Sequence, residues 1–74
     1  MPTQEQYQAW ARMGDRALTH ELMRVIHHGK AGTSNEQLLK EHFGGEIAFP
    51  QTSSMFTLRE NVRVFLRTVC QPQE

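Results

Sequence analysis

The side chains best equipped for chemistry in this chain are four histidines, His20, His27, His28 and His42, and a single thiol, Cys70. A metal held from one helix wants ligands three or four residues apart, so that they share a face. No pair of these histidines has that spacing. His20 and His27 would stand about 10.5 Å apart along a helix axis, and adjacent His27 and His28 would diverge by about 100°. They read as solvated or capping side chains, with His27-His28 placed near a negative helix terminus. Cys70 lies beside Gln71-Pro72-Gln73-Glu74 with no base positioned for it, and reads as a small apolar side chain. Ser53-Ser54 lacks the setting of a nucleophile elbow and fits a helix cap. Gly29, Gly32, Gly44 and Gly45 fit helix ends better than a phosphate loop. With no convergent set, no catalytic residue, cofactor or metal is expected, and the chain does not read as an enzyme.

One surface pattern stands out near the C-terminal end. Arg59, Arg63 and Arg67 recur every four residues, beside Phe56 and Val64 on the side away from the expected core. Guanidinium groups interleaved with apolar side chains are favoured in protein-binding patches, so Phe56, Arg63, Val64 and Arg67 are the expected partner-binding residues. The plainer reading is a solvated arginine ridge, with Phe56 covered by Phe49-Pro50. The same stretch, Thr57 to Arg63, carries residue types that read bases and contact phosphates, and Glu36 to Phe43 could support it as a helix–turn–helix. Residues 44–54 are too long for the turn of that motif, so a DNA-binding regulator is the alternative.

Composition points the same way. The chain has 74 residues and eight basic side chains against eight acidic ones, so it lacks the global positive charge that non-specific nucleic-acid binding exploits. Its hydrophobic fraction of 38% is below the usual ~45–50%, even allowing for glycine, which implies a compact core or one shared with a partner. A homodimer using spare surface near Met13 or Met23 is therefore open. A lone cysteine, no basic leader followed by an apolar run, and no stretch near ~18 apolar residues point to the cytoplasm and away from a membrane.

The elements that would position these residues are helices. Thr3 can cap a first helix, with Glu5 in its positive first turn and Gln6 completing a capping box. Tyr7, Ala11, Gly14, Leu18 and Val25 fall near one line at 100° per residue, flanked by Trp10, Ala17 and Leu22. An unbroken helix over 4–28 would be about 37 Å long, against a radius of gyration of about 11 Å for a domain of this size. A break with Gly14 closing one helix and Asp15 capping the next resolves this, giving helices at 4–13 and 16–28. His27-His28-Gly29 ends the second, with Gly29 as a left-handed cap. Thr33 with Glu36, or Ser34 with Gln37, opens a third that Gly44-Gly45 ends. Glu46 to Pro50 reads as an extended connector burying one or two side chains. Thr52, Ser53 or Ser54 then caps a last helix to about Cys70, with Met55, Leu58, Val62, Phe65, Leu66 and Val69 along one face. Residues 71–74 should fray.

The expected fold is all-α: three to four short helices in one domain spanning 1–74, with an extended connector before the last helix. Its core is expected to hold Trp10, Leu18, Leu22, Leu38, Leu39, Phe43, Leu58, Val62, Phe65 and Leu66. The expected function is regulation or inhibition through binding another protein, without turnover.

Overall fold

Each helix begins where a side chain or backbone oxygen takes up a free N–H, and stops where the pattern fails. The computed structural model describes residues 2–49 and 54–70. In α1 (Gln4–Arg12) the Thr3 hydroxyl accepts from the Gln6 N–H at 3.2 Å, and Glu5 sits in the positive first turn. The helix ends as Met13 turns extended, its N–H donating to the Trp10 carbonyl. α2 (Asp15–His27) follows with a single residue, Gly14, as its N-cap.

The break therefore falls where expected, but the roles are exchanged. Gly14 has φ −65°, not a left-handed conformation, and Asp15 is the first helical residue instead of the cap. Its carboxylate is engaged by Arg63. Gly29 is likewise no left-handed cap: among the described residues, positive φ occurs only at Gly32 and Gly44. Leu38 packs directly on Gly29, and its terminal methyls would have to shift for a side chain there.

In α3 (Asn35–Phe43) the second of the two expected caps is used, the Ser34 hydroxyl accepting from the Gln37 N–H at 3.2 Å. Gly44 closes it at φ +80°, a conformation glycine adopts without the Cβ penalty, and its N–H donates to the Lys40 carbonyl at 2.6 Å. Ser54 caps α4 (Met55–Val69) through the Thr57 N–H.

The four helices make an all-α fold in which α4 packs on α1 and α2, and α3 packs on α2. Leu18 and Leu22 from α2, Leu39 and Phe43 from α3, and Val62 and Leu66 from α4 are fully buried between them. Tyr7, Trp10, Ile47 and Leu58 complete the core. Two expected core residues lie at its margin. Leu38 is half-buried over Gly29, and Phe65 is half-buried edge-on to Tyr7 at 5.9 Å, with its ring against Gly45. Ile47 fills the connector's buried position, and the Asn61 amide donates to the Ala48 carbonyl at 2.6 Å, fastening the connector to α4. The part of the expected connector at 50–53 and the expected frayed tail at 71–74 lie outside the described residues. No helix is long and apolar enough to cross a membrane among the described residues.

Candidate protein-binding surface

Polar side chains between the helices decide which surfaces remain free. At the α1–α2 junction, Arg63 donates from Nε and Nη2 to Asp15 Oδ1 at 3.0 and 2.8 Å, and from Nη2 to the Met13 carbonyl at 2.8 Å. That carbonyl belongs to a helix end and has no acceptor role within α1, so the guanidinium closes α1 and opens α2 at once. One turn earlier on α4, Arg59 donates to the Thr19 hydroxyl at 3.0 Å and lies 5.0 Å from the centre of the Phe56 ring.

A second network ties α1, α2 and α3. The Trp10 indole N–H donates to Glu21 Oε2 at 3.2 Å and Arg24 Nε donates to Oε1 at 2.7 Å, while His42 Nε2 stands 3.6 Å from Oε2. The Arg24 hydrogen bond holds the Glu21 carboxyl below its ordinary range, against a smaller opposing push from burial and with further help from Trp10. Trp10 packs against the His42 and Phe43 rings at 4.8 and 4.6 Å. Glu21 thus joins Trp10 to Arg24, while His42 Nε2 is buried without a hydrogen-bond partner.

The four residues expected to form one patch are placed differently from one another. Phe56 is 63% exposed, at the first turn of α4 beside Arg59. Arg67 is exposed on the same stripe, about 16 Å further along the axis. Arg63 lies on that stripe between them, but its side chain is only 15% exposed and bonded within the fold. Val64, 57% exposed, is turned toward the connector, where it shares a shallow cleft with Ala48 and Thr68. The structure thus leaves Phe56, Val64 and Arg67 on the surface without gathering them at one point.

A different surface is continuous. The outward side of α2 carries Ala17, His20 and Met23, the last 52% exposed. These residues line an open groove of about 950 Å³ with Gly14, Arg16 and Arg59. A second hollow of about 550 Å³ shares His20 and Met23 with it and extends along Ile26 and His27 to Met55 of α4. The expected spare surface on the first helices thus holds at Met23, while Met13 is half-buried against the core. Sequence periodicity assigned Ala17 to the flank of the core line because it followed one phase through residues 4–26. The line itself continues through Leu18, Leu22 and Val25, and Ala17, about 80° to its side, faces outward.

No protein family, curated protein or solved structure matches the chain.

Among the described residues no three His, Cys, Asp or Glu side chains converge as a metal site would require. Cys70 caps the end of α4, half-buried against the core. The helix–turn–helix arrangement finds no support in the packing: α3 rests on α2, and α4 packs mainly on α1 and α2.

Proposed function

We propose that this is a non-enzymatic regulatory or inhibitory protein that acts by binding another protein through the outward side of α2 and the first turn of α4. The observation that carries the reading is the exposed Met23 shared by two adjoining apolar hollows on α2, with the exposed Phe56 next to the groove-lining Arg59 on α4. Large apolar side chains that gather in this way mark interaction sites, whereas scattered ones carry no meaning. Phe56 stacked with Arg59 supplies the aromatic and guanidinium character typical of binding hot spots. Regulation, in place of turnover, fits a surface built from apolar and guanidinium groups.

Co-purification from the native host tests this. Tagged wild type, Met23→Glu and Phe56→Ala are compared at equal expression, with thermal midpoints measured in parallel. Both substitutions fall at exposed positions and should change folding stability by no more than about 0.5 kcal/mol. The expected result is a protein partner retained by the wild type and lost by both variants. Equal retention by all three, or retention of nucleic acid in place of protein, contradicts the proposal.

A further inference from the structure

Resting on that reading, we infer that the groove along α2 receives an acidic amphipathic helix of the partner. The floor is apolar, formed by Ala17, Met23 and Ile26 with Met55. Its margins are basic: Arg16 and Arg59 line one section, Arg24 lines the other, and neither section has a carboxylate among its lining residues. His20, His27 and His28 add ring nitrogens for hydrogen bonding along the same margins.

The nearest carboxylates are already engaged. Asp15 accepts from Arg63 and lies 3.9 Å from Arg59, Glu21 accepts from Trp10 and Arg24, and Glu60 lies 3.9 Å from Arg59, so Arg24 and Arg59 already face acidic neighbours. Arg16 has no ion pair or hydrogen bond from its side chain among the described residues, so its charge is available to a partner. The chain as a whole is neutral, and the uncompensated positive charge of this face rests on Arg16.

Length and charge select the occupant. α2 has 13 residues, about 20 Å at ~1.5 Å per residue, which matches a partner helix of three to four turns laying its i, i+3, i+4, i+7 positions into the floor. Carboxylates flanking that apolar stripe would meet Arg16 and the outer donors of Arg24, whose Nε holds Glu21 while half of its side chain stays exposed. A second copy of this chain is disfavoured, because a two-fold interface would bring the two basic margins together in one contact. A nucleic acid would gain the charges but leave Met23 and the methyl of Ala17 against phosphate.

The test uses three synthetic 16-residue probes added to the isotope-labelled protein and followed by amide chemical shifts. The first carries a leucine stripe flanked by glutamate, the second has lysine at every glutamate position, and the third is a scramble of the first. The expected result is shifts on Ala17, His20, Met23 and Ile26 with the first probe, at least tenfold weaker binding of the other two, and at least tenfold loss of the first in Met23→Glu. Arg16→Glu should weaken the glutamate probe and strengthen the lysine probe, an exchange that a folding defect could not produce. Equal binding of the first two probes, absence of binding, or shifts centred elsewhere overturns the inference, as does a DNA duplex competing for the same residues. If the probes fail while Met23→Glu still abolishes co-purification, the partner's chemistry is wrong and protein binding through this face stands. If co-purification is also unaffected, both readings fall.

Discussion

Arg63→Ala should be among the most damaging substitutions of any charged residue in this protein, although Arg63 lies on the outward stripe of α4. The variant removes three hydrogen bonds that bring α4 to the α1–α2 junction. The contact to the Met13 carbonyl is partly buried, and a bond from a charged donor contributes about 1.5–3 kcal/mol. The pair with Asp15 contributes less, ~0–1 kcal/mol, because Asp15 is 62% exposed and solvent screens it. A total near 2 kcal/mol converts to a fall of about 8–16 °C in the thermal midpoint for a domain of this size. Asp15→Asn, which touches only the screened leg, should cost under about 1 kcal/mol, and the double variant should show a coupling of about 0.5–1 kcal/mol. The Asp15 contribution should shrink in 1 M salt, and the Met13 contribution should persist. Thermal melts followed by far-UV circular dichroism measure all of these. A drop of less than about 3 °C in Arg63→Ala, or Asp15→Asn as damaging as Arg63→Ala, would refute the clamp.

Other expectations follow from the same contacts. Glu21 has a lowered carboxyl pKa in the fold, caused first by Arg24, so its stabilisation is complete above the ordinary value of 4.5 and fades as pH falls through the lower folded value. Glu21→Gln should therefore flatten the acid limb of the midpoint-against-pH curve below about pH 4.5, and an unchanged limb would assign that dependence to other carboxylates. Gly44→Ala combines positive φ with a Cβ that would meet the Tyr7 hydroxyl and Pro2, whereas Gly32→Ala has positive φ in open space. The first should cost clearly more than the ~1 kcal/mol expected of the second in urea melts, and equal costs would show that the Tyr7 contact is easily displaced. Leu22→Ala, fully buried between α2 and its neighbours, should cost about 2.7–5 kcal/mol, enough to leave much of the protein unfolded at 37 °C.

What could be read from the sequence was local. Thr3, Ser34, Gly44 and Ser54 mark helix ends because capping depends on residues three or four apart, and all four serve as expected. The face of α4 with Leu58, Val62 and Leu66 was legible for the same reason. What was not legible depends on which helix lies opposite. Periodicity points Arg63 outward, yet a neighbouring junction 48 residues away in sequence folds over it and takes its donors. Leu38 has the period of a core residue, but the surface it meets is the bare backbone of Gly29 at the margin. The α2 groove was legible only at Met23, which periodicity turns away from Leu18, Leu22 and Val25; that Arg59 and Met55 of α4 join it depends on how the two helices pack.

The most direct test of the central claim is a footprint of the partner inside the native host. A photo-crosslinking side chain is placed at position 23 on α2 and, in separate variants, at positions 64 and 8. Position 64 lies in the cleft by the connector and position 8 on the exposed side of α1. The account predicts one protein of a different mass joined to the chain from position 23, with little or none from positions 64 and 8. Adducts formed from position 64 but not from 23, or adducts from 23 only to a second copy of this chain or to nucleic acid, would contradict it.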